Sequence, residues 1–411
     1  MTANAGYHAY ATGDVLTASQ VQYNLQNQTV MYFATTTARD AALTGAILVE
    51  GMVSYTPATG LMYYNGSAWT AVGGSSVPTS YGFTAGKNKI INGDFGVNQR
   101  NFTSNTASGS FNFDRWSQLN GDGSFTTTPQ NFTAGTAPVA GYEGKTFLQG
   151  IVAGQTLTSA YAIYGQRIED VRAFAGQTVT LSYWAKTTSG TPKIAIEVEQ
   201  YFGTGGSPSA VVQTTVGANT TSTSWTRYSQ SFTMPSLSGK TVGTNNDSYV
   251  GLNLWVSAGS TYNTRASSIG IQNNTFQIWG VQLEANSTAT AFQTATGTIQ
   301  GELAACQRYY YQTVADNAYT QFGNGMAKSS TSAQIMIPFP VTMRTLPTLA
   351  SYSSLNLFDG ATISGLSSVT LNYGGRNVGS VNCVGTFTQF RPCFMLSDNT
   401  TAGYIAFSAE L

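Results

Sequence analysis

A period of two constrains this chain more than any other feature of its sequence. In run after run, apolar side chains alternate with small or polar ones, and clusters of Gly, Ser, Thr and Asn close each run. Residues 178–185, 193–199, 225–233, 249–256 and 276–283 all read this way. Successive side chains of a strand point to opposite faces, so the pattern buries one face of a sheet and leaves the other polar. Many short strands with such turns predict a two-sheet sandwich or a barrel. Composition agrees. Charged residues are only 9% of the chain, against roughly 25% in ordinary domains, so the outer faces must be largely uncharged. A hydrophobic content of 41% with 12% aromatics is the opposite of the disordered signature. The fold class expected is mainly β.

The 411 residues divide into segments of different character. Residues 1–72 form a small α/β module. Thr17 and Gln20 have the spacing of a capping box, with Val21 and Leu25 on one helical stripe after them. A second helix begins near Thr37 and covers 38–43. A strand over 51–56, a turn over 57–60, a strand over 61–64 and a strand over 68–72 follow, the last two joined by a two-residue turn at Asn65-Gly66. Residues 73–86 are a Gly/Ser linker. Residues 87–297 hold the longest series of alternating runs, with one helical turn placed at Arg167 to Phe174. Over 298–311, Ile299, Leu303, Cys306, Tyr309 and Tyr310 fall at or near helical spacing, which predicts a connecting helix. Residues 312–411 return to β-structure in a second sandwich, with strands at 333–339, 368–373, 386–390 and 404–411. The last of these is expected to be tied into a sheet.

Several function classes are excluded at this level. Net charge is zero and no Lys/Arg cluster tracks a phosphate backbone, so nucleic acid is not an expected partner. No run of 18 apolar residues exists to span a membrane. The first residues lack the basic and apolar regions of a signal peptide. Three cysteines make no disulfide framework; Cys383 and Cys393 read as buried free thiols rather than a hairpin bridge, and Cys306 as a small buried side chain. The single histidine, His8, leaves no room for most histidine-dependent catalysis or multi-histidine metal sites.

The remaining candidates for chemistry are weak as motifs. Residues 141–146 hint at a phosphate loop, but the position that must be glycine is Val139, so they read as a turn. Glycosidases use paired carboxylates. Glu197 and Glu199 share a strand face, and Glu169 adjoins Asp170. The simpler reading is a solvated strand face for the first pair and a loop or helical turn for the second. Asp94, with Glu284, raises calcium, but two carboxylates fall short of the six or more ligands required, and a turn bonding its own backbone is the better account of Asn92-Gly-Asp94. No catalytic residue, metal or cofactor is assigned. Trp116, Trp184, Trp225, Trp255 and Trp279 have flat rings suited to stacking on sugars, but their places inside alternating runs predict that most are core.

One ordered set of motifs goes further. Asn88-Lys-Ile-Ile-Asn-Gly-Asp-Phe95 is followed by Asn98-Gln-Arg100, Asp114-Arg115-Trp116, Leu181-Ser-Tyr-Trp-Ala185 and Ser224-Trp-Thr-Arg-Tyr-Ser229. After these come Ile278-Trp-Gly-Val-Gln-Leu-Glu284, Ala291-Phe292 and Glu302-Leu-Ala-Ala-Cys-Gln-Arg-Tyr-Tyr310. In this order and spacing they resemble a module of tail-fibre and minor tail proteins of tailed bacteriophages, and residues 1–72 resemble an N-terminal segment common in such proteins. The central segment is in turn similar to jelly-roll carbohydrate-binding modules. The resemblance implies a central jelly roll whose first strand carries the NGDF-like motif. It implies a homotrimeric, non-catalytic virion protein on the tail exterior, made in the host cytoplasm. Its partners would be tail or baseplate proteins, through the N-terminal module, and a host-surface glycan or protein. A head or capsid decoration fibre is the nearest alternative, and a polysaccharide depolymerase an alternative of another class. A fibre anchored by its N-terminus presents residues 312–411 outward. The receptor-contact candidates there are Tyr373 with Arg376 beside a Gly-rich turn, and Phe390 with Arg391, which join ring faces to multi-donor cations. Arg376 solvating a turn is the plainer reading.

Overall fold

A computed structural model describes residues 30–44, 48–72, 86–139 and 142–411. The chain forms two compact units, residues 1–83 and 84–411. In the first, β1 (Val30–Tyr32), β2 (Val53–Thr56), β3 (Gly60–Tyr64) and β4 (Trp69–Ala71) form one sheet in that order, with α1 (Thr36–Ala42) between β1 and β2. The helix expected near Thr37 is there. Thr35 caps it, its Oγ1 accepting from the Ala38 N–H at 3.1 Å and so satisfying a donor that the first turn leaves free. Pairing of β1 with β2 is parallel. The turn after Tyr64 has four residues rather than two. Asn65 Oδ1 accepts from the N–H groups of Ser67 and Ala68, an Asx turn that sets Tyr64 opposite Trp69. Residues Thr17 to Gln20, His8 and the linker at 73–85 lie outside the described residues.

The second unit begins with the jelly roll. Its strands are β5 (Ser117–Gly121), β6 (Ser124–Asn131), β7 (Thr146–Ala153), β8 (Tyr161–Glu169), β9 (Thr178–Thr187), β10 (Lys193–Tyr201), β11 (Val212–Thr220), β12 (Thr226–Thr233), β13 (Tyr249–Ala258) and β14 (Thr275–Glu284). They form two five-stranded antiparallel sheets, ordered β11-β10-β13-β8-β5 and β12-β9-β14-β7-β6. All five runs marked by alternation are strands. Along β13 the period is plain: Val250, Leu252 and Leu254 are in the central core, while Gly251, Asn253 and Trp255 face outward. Burying each such aliphatic side chain contributes about 1.5–3 kcal/mol. A second apolar layer lies outside the β12 to β6 sheet, where Phe132, Tyr142 and Phe292 pack on Trp279. Trp184, Trp255 and Trp279 are buried, as their strand positions predict; Trp116, just before β5, is buried as well, and Trp225 is half-buried.

Two expectations are corrected here. Arg167 to Glu169 finish β8, and the helical turn is replaced by hydrogen-bonded turns over 171–176 in which Phe174 has φ 61°. The NGDF segment is a series of turns, not a strand. The side chain of Asn88 stands in for a strand's peptide group: its amide bonds the Val281 carbonyl and accepts from the Leu283 N–H.

Thr298 then caps α2 (Ile299–Gln307), accepting from the Gly301 N–H at 3.1 Å. The second sandwich contains β15 (Tyr310–Val314), β16 (Gln321–Ala327), β17 (Ser332–Pro338), β18 (Thr348–Ser353), β19 (Leu355–Phe358), β20 (Ile363–Gly365), β21 (Ser368–Leu371), β22 (Val378–Val384), β23 (Pro392–Ser397) and β24 (Tyr404–Ser408). A three-stranded sheet, β15-β24-β18, faces a seven-stranded one, β20-β19-β23-β16-β17-β22-β21. Ile335, Ile337, Val381, Met395, Ile405 and Phe407 fill the space between. The last strand is central in its sheet. Tyr310 and Tyr311 open β15 instead of ending the helix. Residues 386–390 are a loop, because Thr388 turns its N–H to the buried Asp359 carboxylate. Cys306, Cys383 and Cys393 are buried free thiols; the last two sit on β22 and β23, with β16 and β17 between them.

Candidate functional site

The outer face of the β11-β10-β13-β8-β5 sheet carries a groove of about 360 Å³, within the usual range for ligand sites of roughly 300–1,000 Å³. Cross-strand register builds its floor. Gly165 on β8 stands opposite Asn253 on β13, and Gly251 stands opposite Glu199 on β10 and Arg167 on β8. Glycine at two outward positions lowers the floor and leaves Asn253 and Glu199 standing above it. A Cβ at Gly251 would come within 2.9 Å of Glu199 Cγ.

One side of the groove is the loop over 259–271, folded back onto the sheet. Its anchor is Glu197. That carboxylate is fully buried and accepts from Arg265 Nε at 2.6 Å and Nη2 at 2.9 Å. Asn253 Nδ2 and Trp255 Nε1 donate to it as well. The bidentate bonds that Arg265 donates to Glu197 hold its guanidinium above its ordinary pKa despite the opposing effect of burial. They also orient Asn253: with its amide nitrogen committed to Glu197, its carbonyl oxygen lies on the Gly165 side. Trp255 is closed off beneath Tyr262. Tyr262 and Tyr161 meet edge to face at 5.4 Å, both half-buried, and form an aromatic lip.

The other side consists of Phe111, Arg115, Arg167 and Leu411. Arg167 lies over the Tyr249 ring at 4.7 Å, and Tyr249 donates its hydroxyl to Glu199 Oε1 at 3.0 Å. Burial first, and then the Glu199 charge, push the Tyr249 phenol well above its ordinary pKa, so it remains a donor. The groove thus offers tyrosine rings, a carboxylate, an amide oxygen and guanidinium donors within a few residues of each other. That set suits a polyhydroxylated ring, whose apolar face stacks on aromatics while its hydroxyls pair with fixed polar groups.

The paired acids are separated by this arrangement. Glu197 is a buried tie rather than part of a solvated face, and Glu199 alone lines the groove. Glu169 binds Arg308 and Tyr309, while Asp170 pairs with Arg172. Glu284 accepts from Thr290, Gln282 and Lys87, and Asp94 from the Tyr142 hydroxyl. Among the described residues no three His, Cys, Asp or Glu side chains gather as a metal site.

The receptor-contact candidates of the sequence, Tyr373, Arg376, Phe390 and Arg391, lie elsewhere and do not form one cluster. Tyr373 is 85% exposed at φ 56° in the turn before β22, and Phe390 is 71% exposed at φ 64° beyond its far end. The length of β22 separates them by about 20 Å at ~3.3 Å per residue. Arg376 donates its Nε to the Met343 carbonyl at 2.8 Å and so braces its own turn; Arg391 is exposed, and its carbonyl accepts from the Ala327 N–H. Sequence reasoning missed Tyr161, Asn253, Tyr262 and Arg265, because only the fold-back of 259–271 unites them. The available signal was glycine at the outward positions 165 and 251 inside strands, where a close approach is the usual reason.

No protein-family model matches the chain, and no curated protein matches it. Solved structures do. A CBM22-2 xylan-binding domain of Paenibacillus barcinonensis Xyn10C is 14% identical over 43% of this chain and 94% of that one, with a TM-score of 0.28. A xylan-binding domain from CBM 22 is 16% identical over 45% of this chain and 96% of that one, with a TM-score of 0.27. A protein described as a putative sugar binding protein, from Bacteroides thetaiotaomicron, is 14% identical over 48% of this chain and 100% of that one, with a TM-score of 0.26.

Proposed function

We propose that the groove on the central jelly roll binds saccharide without catalysis, and that the chain is a tail-fibre protein of a tailed bacteriophage that holds the particle to host-surface glycan. One observation carries the saccharide reading: Tyr161 and Tyr262 form an aromatic lip on the same groove whose floor bears Asn253 and Glu199. The buried Glu197 that fixes both the floor and the lip supports pre-organisation, which lowers the ordering cost of binding. It also argues for binding over hydrolysis. A glycosidase needs two carboxylates at the scissile bond, and the oxygens of Glu197 are engaged by Arg265, Asn253 and Trp255.

The virion role rests on the ordered motif set between Asn88 and Tyr310. In that role the N-terminal module joins a tail or baseplate protein, the chain assembles as a homotrimer, and the exposed Tyr373 and Phe390 loops are further points of host contact.

The test is a glycan array followed by calorimetry on the intact chain. Asn253→Ala and Tyr262→Ala should each weaken binding at least tenfold in protein that dichroism shows still folded at the assay temperature, although Asn253→Ala also takes a donor from the buried Glu197 and should lower the unfolding midpoint. Undiminished binding by both variants would overturn the groove assignment. Release of reducing sugar from host polysaccharide would replace binding with depolymerisation. Immunogold labelling of purified particles distinguishes a tail fibre from a head decoration fibre.

A further inference from the structure

We infer that the groove is a two-domain site, one side of which belongs to the C-terminal β-domain, with Glu410 as the positioning residue that holds it in place. This rests on the saccharide reading of the groove. Leu411 lines the groove but follows β24, so it belongs by chain to the second sandwich. Four arginines grip the segment that carries it. Arg167 donates Nη1 to the Leu411 carbonyl at 2.5 Å. Arg344 donates Nε to the Ala409 carbonyl at 2.9 Å and Nη2 to the Glu410 carbonyl at 3.0 Å. The Glu410 carboxylate, 7% exposed, takes Arg100 at 2.7 Å on one oxygen and Arg115 on the other.

The two guanidiniums at Glu410 are themselves sandwiched. Arg115 lies 3.5 Å above the Tyr309 ring and Arg100 lies 3.6 Å above the Tyr310 ring. Those tyrosines come from the junction of α2 and β15, so both ends of the second domain close on the same pair of arginines. Arg100 also covers the ring of Phe111, and Phe111 and Arg115 line the groove with Leu411. Burial pushes the Arg115 guanidinium down to about 10, which reflects how little water remains to solvate it. The Nε atoms of Arg100 and Arg115 are buried without a protein partner. Asp114 also faces Arg100, but Glu410 is the carboxylate that pairs with both guanidiniums at once. Without it, the desolvated Arg115 loses its ion-pair partner beside a second cation, and the segment that ends in the groove side is released.

The same residues thus serve both the domain junction and the groove. Arg167 is the clearest case, since it touches Leu411 and stands opposite Gly251 in the floor. A ligand that contacts this side binds only the docked arrangement of the two domains, so ligand binding and domain docking must strengthen each other.

The experiment uses the full chain with Glu410→Gln, Leu411→Ala, Asn253→Ala, and Asp316→Asn as an exposed charge control on the second domain. Probes are xylo-, cello- and manno-oligosaccharides and polysaccharide from the host surface. Amide hydrogen exchange is followed without ligand. Glu410→Gln should speed exchange over 161–169 and 249–253 and lower affinity for the best-binding probe at least tenfold. Leu411→Ala, which leaves the ion pairs intact, should lower affinity several-fold without changing exchange, and keeps the test open if Glu410→Gln fails to fold. Asp316→Asn should match the parent. If Asn253→Ala abolishes binding while Glu410→Gln and Leu411→Ala bind normally, the groove is a site of the jelly roll alone and the inference is wrong. If Asn253→Ala binds normally, the saccharide reading fails, and unchanged exchange in Glu410→Gln then removes the coupling as well.

Discussion

The jelly roll and the C-terminal β-domain are written in the same alternating pattern and end up as different kinds of sandwich. The jelly roll packs five strands on five around large rings, with Trp116, Tyr164, Tyr183, Phe125 and Phe276 fully buried. The C-terminal domain packs three strands on seven around Ile335, Val381, Met395, Cys383 and Phe407, and residues 312–411 contain no tryptophan. Their outer faces differ more. The jelly roll has the 259–271 loop over part of one sheet and Phe132 and Tyr142 over the other. On the seven-stranded sheet, Met326, Met336 and Phe394 stay exposed on the outward side. Register places Met336 and Phe394 on either side of Asn324. The comparison teaches that alternation fixes which residues share a face, while loops from distant sequence decide whether that face becomes core, groove or bare surface.

The largest effects should come from the cores. Trp279→Ala removes the ring at the centre of the aromatic layer and should cost about 3–5 kcal/mol, against about 2–4 kcal/mol for Ile335→Ala in the smaller-residue core. Five of the six tryptophans lie between residues 116 and 279, so tryptophan fluorescence follows mainly the jelly roll and far-UV dichroism follows both domains. Denaturation that coincides by both probes in the parent, and separates in Ile335→Ala, would mark the two sandwiches as distinct cooperative units. Coincidence in both variants would merge them.

A smaller effect is expected at their junction. Burial alone would raise the Glu169 carboxyl, but hydrogen bonds from Arg308 and Tyr309, with the charge of Arg344, bring it below its ordinary value. A depressed carboxylate stabilises the folded state above its unfolded pKa of about 4.3. That contribution is lost as pH falls through the lower folded value. Acidification below about pH 4 should therefore loosen the junction, seen as proteolysis near 298–311, and Glu169→Gln should be loose at neutral pH already. Asp114 acts in the opposite sense: burial raises its carboxyl, so its own contribution declines as pH rises through that raised value. Junction cleavage that does not depend on pH would remove Glu169 from this role.

Removing the helix cap should cost less again. Thr298→Ala leaves the Gly301 N–H without its partner and should lower stability by about 1 kcal/mol, read as a shift in the urea midpoint. Smallest of all, Tyr373→Ala and Phe390→Ala change exposed side chains and should move stability by less than about 0.5 kcal/mol. Host-cell adsorption should nevertheless fall if the C-terminal loops touch the host. Normal adsorption by the double variant would remove these loops from the proposed host contact.

Period two was legible wherever one strand face met the core, so the strands at 178–187, 193–201, 226–233, 249–258 and 275–284 were readable almost to their ends. The helix that begins at Thr298 was legible because helical spacing is a local signal. Segments governed by distant partners were not. Asn88 completes the edge of β14 with its side chain, and Thr388 leaves strand geometry for Asp359. Both bonds join residues far apart in sequence, and propensity carries no trace of them.

The sequence by itself determined a mainly β chain with a helix before its last domain, because alternation and helical spacing act over a few residues. It also determined that most tryptophans would be buried, since they occupy apolar phases of strands. Only the tertiary structure decided that Glu197 is a buried tie while Glu199 faces a groove, although both share one strand face. The reason is physical: the 259–271 loop brings the Arg265 guanidinium onto one carboxylate and leaves the other uncovered. Likewise, only the docking of the second sandwich brings Leu411 to the groove, because the arginines that hold its segment are contributed by both sandwiches.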